Sequence, residues 1–240
     1  MPTEVVACPD EISAAAEAAR RVLAVLRAAT SRGGTPGLAL SGGRIARRFF
    51  EELVARAVSE GVDLKSVDFF WADERCVPPE DALANFATAR EALLEPARVP
   101  TRRVHRLEGE LDPALAVARA TADWRAWQSA RGEADPGLDL VVLGVGEDGH
   151  VASLFPANLK ADLAATEPFR AVTGPKPPPR RLTMGYPMLW EAGRVVVLAT
   201  GPGKEAVVDG SLSGQIDTPL SRVLAGRDAR GRPTVVVRQM

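Results

Sequence analysis

Hydrophobic and polar positions divide this chain into two alternating kinds of segment. Short unbroken apolar runs are separated by longer stretches in which apolar residues recur every three or four positions. The runs predict strands buried on both faces, and the longer stretches predict helices with one covered face. Strands are expected at Glu4–Cys8, Gly37–Leu40, Val67–Trp71, Arg102–Leu107, Leu138–Leu143, Arg194–Ala199 and Thr234–Val237. One helix is expected from an Asp10 N-cap to about Ala29, and a second from Ile45 to Ser59, closed by Gly61. Two more are expected over Pro113–Arg131 and Glu205–Leu212. This β-α-β-α rhythm predicts an α/β fold with a mostly parallel sheet and helices on both faces. The proline-rich run Thr173–Arg181, TGPKPPPRR, reads as a stiff loop rather than a linker. Residues 1–240 are therefore expected to form a single domain.

In such sheets ligands gather where strands end at their carboxyl termini. Four of these exits carry unusual residues: Ser41-Gly42-Gly43-Arg44, Ala72-Asp73-Glu74-Arg75, the stretch GVGEDGHVASLFP from Gly144 to Pro156, and TGPGKE from Thr200 to Glu205. One pocket is expected to collect all four.

Composition narrows the classes of function. With 25% charged residues and a net charge of −1, no global basic field favours nucleic acid or an anionic membrane. Two cysteines, Cys8 and Cys76, make no disulfide framework and fit a reducing compartment. No apolar run is long enough for a membrane span, and the first residues lack the pattern of a signal peptide. A cytoplasmic protein is expected, without nucleic-acid or membrane partners, as a monomer or small homo-oligomer.

Gly144, Gly146 and Gly149 match G-x-G-x-x-G. A dinucleotide loop would need a helix to start among the glycines, and Pro156 leaves little room for one. The alternatives are a plain glycine turn or a loop that presents Asp148 and His150 for chemistry. His150 follows a buried strand and has carboxylates beside it, the setting of a general base. His105, among basic residues, is expected to be structural or on the surface. Asp73 and Glu74 are adjacent, so at most one of them faces a pocket. Ser41, Gly42, Gly43 and Arg44 suit an anion at a helix start, as does Lys204 in TGPGKE. That segment is not a Walker A loop, because Glu205 stands where Ser or Thr would hold Mg²⁺. Neither a zinc motif nor a G-x-S-x-G elbow is present in the sequence.

The order SGG, WADERCVPPE with ANF, GVGEDGHVASLFP, RLTMGYPML and TGPGKE resembles the glucosamine-6-phosphate isomerase/6-phosphogluconolactonase family, on its lactonase side. The resemblance spans about residues 35–210. It implies a three-layer, Rossmann-like α/β fold shared with sugar-phosphate isomerases and deaminases. It also implies hydrolysis of a sugar-phosphate lactone, 6-phospho-D-glucono-1,5-lactone, in the oxidative pentose phosphate pathway, with no metal and no cofactor. By the same resemblance His150 is the general base, and Asp73 and Asp148 are acidic groups at the reacting end. Ser41, Gly42 and Gly43 form the phosphate loop, Lys204 is the phosphate lysine, and Arg75 and Arg181 are further anion contacts.

The sequence departs from the family in places. Arg44 stands where relatives carry a small hydroxyl residue, Ala84 replaces a serine, and Val151 replaces a threonine. Two other readings stay open. A glucosamine-6-phosphate deaminase would place Asn-Glu-Pro where this chain has Ser153-Leu154-Phe155-Pro156. A non-catalytic sugar-phosphate-binding module would need the phosphate loop but not the Asp73, Asp148 and His150 set.

Overall fold

The computed structural model describes residues 3–132 and 137–240. Strand β1 (Glu4–Cys8) leads to helix α1 (Glu11–Ser31), whose N-terminus is capped by Asp10 accepting from the Ser13 N–H at 2.7 Å. Ala14, Ala15, Ala18 and Ala19 line the covered face of α1 and let it lie close against the sheet. Strand β2 (Gly37–Leu40) and helix α2 (Ala46–Glu60) follow, and Gly61 ends α2 at φ 67°, the left-handed geometry that glycine adopts without steric cost. Strand β3 (Asp68–Trp71) runs into a short strand β4 (Asp73–Arg75). Helix α3 (Asn85–Ala89), strand β5 (Val104–His105) and helix α4 (Pro113–Arg131) come next. Beyond them lie β6 (Leu140–Gly144), α5 (Leu159–Ala164), β7 (Phe169–Thr173), β8 (Arg180–Met184) and α6 (Tyr186–Glu191). The chain closes with β9 (Arg194–Ala199), α7 (Glu205–Leu212), α8 (Pro219–Asp228) and β10 (Thr234–Gln239).

Seven strands form an all-parallel sheet in the order β1-β10-β9-β6-β2-β3-β5, with helices on both faces. The inner strands β6 and β9 are almost wholly buried, so their unbroken apolar runs match their position. From β2 the chain moves outward through β3 and β5. From β6 it moves the other way through β9 and β10. The strand order therefore reverses between β2 and β6, which opens a crevice at their carboxyl ends.

Two expectations need correction. The strand foreseen at Arg102–Leu107 shrinks to Val104–His105, because Thr101–Arg103 winds into a 3₁₀ turn. A second sheet was not foreseen: β4, β8 and β7 pair antiparallel, and the run Thr173–Arg181 is the connection of its β7–β8 hairpin, closed by Gly174 N–H to Pro179 O at 2.7 Å.

His105 is structural. Its ring stacks on Phe70 (4.3 Å between centroids), its Nδ1 lies 2.8 Å from Asp123, and its Nε2 lies 3.7 Å from Asp68. Burial opposes its charge, but the two carboxylates outweigh burial and push the imidazole from 6.5 up to about 9. A folded value above the unfolded one means stabilisation that is complete below pH 6.5 and lost as pH rises to about 9. Urea unfolding at pH 6 and pH 9.5 should show wild type losing on the order of 1–2 kcal/mol more than His105→Gln across that interval. Equal losses in both proteins would contradict this account.

Candidate active site

The four decorated strand exits meet over the crevice between β2 and β6. They line a cavity of about 370 Å³, within the usual size for a small-molecule site. All ten residues singled out in the sequence border it: Ser41, Gly42, Gly43, Arg44, Asp73, Arg75, Asp148, His150, Arg181 and Lys204. Arg180, next to Arg181, is exposed and lies outside the lining.

The glycines of the Gly144–Gly149 segment serve close packing rather than a dinucleotide. A Cβ on Gly146 would fall 2.0 Å from His150 Nδ1 and 2.7 Å from Asp148 Oδ1, so the imidazole and carboxylate rest on that bare backbone. Gly149 adopts φ 78°, and its carbonyl accepts from Leu220 N–H at the start of α8. No helix begins among the glycines. The chain bends back through Ala152 (φ 50°) and reaches a 3₁₀ turn only at Pro156.

His150 Nδ1 lies 2.5 Å from Asp148 Oδ1, and the same oxygen accepts from the His150 backbone N–H. Burial disfavours the Asp148 charge, yet the His150 ring and backbone overcome it and hold the carboxyl below its ordinary value. An ionised carboxylate only accepts, so this contact favours the tautomer of the neutral imidazole with its proton on Nδ1 and its lone pair on Nε2. Asp148 is thus the group that orients His150, a point the sequence left undecided.

Of the adjacent acids, Asp73 lines the cavity and Glu74 turns away. Glu74 is 2% exposed and accepts from the N–H groups of Arg75, Asn85 and Phe86, each at 2.7 Å. It thereby caps α3 from a distant strand. Burial pushes its carboxyl up to about 7 against those three donors. Asn85 and Ser153 also line the cavity but stood out only as letters of motifs, since their contacts are with residues far away in sequence.

The cationic groups fall into two sets. Lys204 is half-buried, and burial together with nearby Arg44 draws its ammonium below the ordinary value, against Glu147 and Glu11. Arg44 leans toward the TGPGKE loop, where a Cβ on Gly201 would lie 2.7 Å from its Nη2. In the neighbouring loop Ser41 Oγ is buried without a hydrogen-bond partner among the described residues, and Gly43 takes φ 110°. The second set is Arg75 and Arg181, cross-strand partners in the small sheet. Arg181 Nε and Nη2 donate to the carbonyls of Pro178 and Lys176, which fastens the proline hairpin beside the cavity. Burial and the neighbouring Arg75 hold Arg181 below its ordinary value. Cys76 is half-buried and packed against the core, outside the cavity lining. Among the described residues no three His, Cys, Asp or Glu side chains are grouped to hold a metal, and no helix is long and apolar enough to cross a membrane.

Residues 9–232 match the family of glucosamine-6-phosphate isomerases/6-phosphogluconolactonase, and the chain belongs to that family. It is similar to the 6-phosphogluconolactonase of Mycobacterium tuberculosis, with 34% identity covering 92% of this chain and 90% of that protein. With the 6-phosphogluconolactonase of Homo sapiens it shares 35% identity over 78% of this chain and 72% of that one. The solved structure of 6-phosphogluconolactonase from Trypanosoma cruzi has the same fold, with a TM-score of 0.83 over 99% of this chain and 94% of that one at 24% identity.

Lys204 and the buried Ser41 hydroxyl, which has no partner among the described residues, give this end of the cavity a cation and a spare donor, the features an anion site would need. Inorganic phosphate at about ten times its dissociation constant should stabilise the protein by ~1.4 kcal/mol, a rise of about 2–4 °C in Tm. Lys204→Ala should abolish most of that rise in a thermal melt. The same rise in both proteins would place the anion elsewhere.

Proposed function

We propose that this chain is a lactone hydrolase that converts 6-phospho-D-glucono-1,5-lactone to 6-phospho-D-gluconate with water as nucleophile. The observation that carries the reading is the His150–Asp148 pair, 2.5 Å apart, in the same cavity as the Ser41–Gly43 loop and Lys204. A phosphate-binding end and an oriented base in one small cavity suit a phosphorylated substrate with a reactive carbonyl. The names of the relatives supply the particular lactone.

In this reading Lys204, the Ser41–Gly43 backbone, the Ser41 hydroxyl and Arg44 hold the phosphate, and binding energy far from the ring positions the carbonyl. His150 Nε2 takes a proton from water as its oxygen attacks C1. The carbonyl π electrons move onto oxygen, and the resulting oxyanion is stabilised by a cation such as Arg75. The C1–O5 bond then breaks, and protonated His150 returns its proton to the departing ring oxygen. Asp148 stabilises the imidazolium in between. No protein nucleophile is needed: the Ser153 hydroxyl is buried and donated to Asp73, and Cys76 lies outside the cavity lining. A lactone is already an activated ester, so general-base catalysis of about 10²–10⁴-fold plus orientation is sufficient.

The test is hydrolysis of this lactone in chelator-treated buffer, with spontaneous opening subtracted. Wild type should turn over rapidly, and His150→Ala should lose about 10²–10⁴-fold in kcat. Folded wild type without turnover would contradict the reaction. Full turnover in His150→Ala would contradict the base.

A further inference from the structure

Asp73 borders the cavity, yet its carboxylate is not free to turn. Ser153 Oγ donates to Oδ2 at 2.8 Å, and Asn85 Nδ2 lies 3.3 Å from Oδ1 and 2.9 Å from the Asp73 carbonyl oxygen. With a donor on each oxygen, the plane of the carboxylate is fixed. Both donors are themselves held. Ser153 is 1% exposed, and its N–H donates to Thr183 on β8, the residue paired with Asp73 in the small sheet. Asn85 is held through its backbone N–H by the buried Glu74.

Asn85 also touches the Ser41–Gly43 loop. A Cβ on Gly42 would fall 1.8 Å from Asn85 Oδ1, so the amide lies directly on the bare backbone of the Ser41–Gly43 loop. The absence of a side chain at residue 42 is what admits Asn85 to Asp73. One amide thus touches both the Ser41–Gly43 loop and the Asp73 carboxylate.

We infer that Ser153 and Asn85 are positioning residues for this reaction: Ser153 fixes the Asp73 carboxylate alone, and Asn85 couples it to the phosphate loop. The inference rests on the lactonase reading above, takes Asp73 as an acidic group that acts at the substrate, and assigns two side chains that the general-base mechanism does not use. The two roles predict different kinetics. Ser153→Ala removes one hydroxyl from a buried position and leaves the phosphate loop untouched, so kcat should fall about tenfold or more while KM changes less than about twofold. Asn85→Ala frees both partners, so kcat should fall and KM should rise together. In an Asp73→Ala background the Ser153→Ala change should cost less than about twofold further in kcat, because nothing is left to position.

The experiment is steady-state hydrolysis of the lactone by wild type, Ser153→Ala, Asn85→Ala, Asp73→Ala and the Asp73→Ala/Ser153→Ala double variant, each checked by thermal melt. The split between kcat and KM together with non-additivity supports the inference. An unchanged kcat in Ser153→Ala, or an equal loss with and without Asp73, overturns it, since a purely structural serine would act in both backgrounds. If Ser153→Ala does not fold, Asn85→Ala alone decides: a loss of kcat without any rise in KM overturns the coupling. Full kcat in Asp73→Ala overturns the inference and leaves the lactonase reading standing. No wild-type turnover removes that reading and the inference with it.

Discussion

Ala72 belongs to two sheets, and the site depends on that. Its N–H donates to Leu40 O at the end of β2, and its carbonyl accepts from Met184 N–H at the end of β8. One completely buried residue with no side-chain freedom therefore carries the chain out of the parallel sheet and into the antiparallel one. Directly after Leu40 comes the Ser41–Gly43 loop, and directly after Ala72 comes Asp73, the first residue of β4. Backbone hydrogen bonds therefore hold these two neighbours side by side at the cavity.

The cavity inherits its chemistry from this arrangement. Parallel strands bring loop after loop to one edge, so residues scattered from Ser41 to Lys204 meet without a long-range motif. The small sheet then adds what a parallel sheet alone does not supply. It places Arg75 opposite Arg181, buries Ser153 behind Asp73 through Thr183, and carries the proline hairpin that Arg181 fastens in place. Charges of one sign are kept close together at both cationic sets, which costs free energy in the empty protein and favours an anion when one arrives.

Much of the parallel sheet was legible. Strands β6 and β9 are continuous apolar runs because both faces are covered, and α1 and α2 carry their caps at Asp10 and Gly61. The small sheet was not legible for a physical reason. Strand β4 is three residues long, and its partner β8 lies about a hundred positions on, so neither shows a periodicity of its own. Helix α3 was equally hidden, since its cap is the side chain of Glu74 rather than a neighbouring residue. In the site, Asp148 and His150 stood out because their bond is local. Asn85 and Ser153 did not, because each meets Asp73 only once the chain has folded. Arg44 turns toward Gly201 and Lys204.

The central claim is that Asp148 fixes the tautomer of His150 and leaves Nε2 as the basic atom. The chain has two histidines, so the imidazole nitrogens of the ¹⁵N-labelled protein give few signals to assign. Long-range ¹H–¹⁵N correlation on the neutral form of His150 reads the proton position directly. A protonated Nδ1 and a bare Nε2, reversed or averaged in Asp148→Asn, is the result this account predicts. A proton resident on Nε2 in the wild-type protein would contradict it.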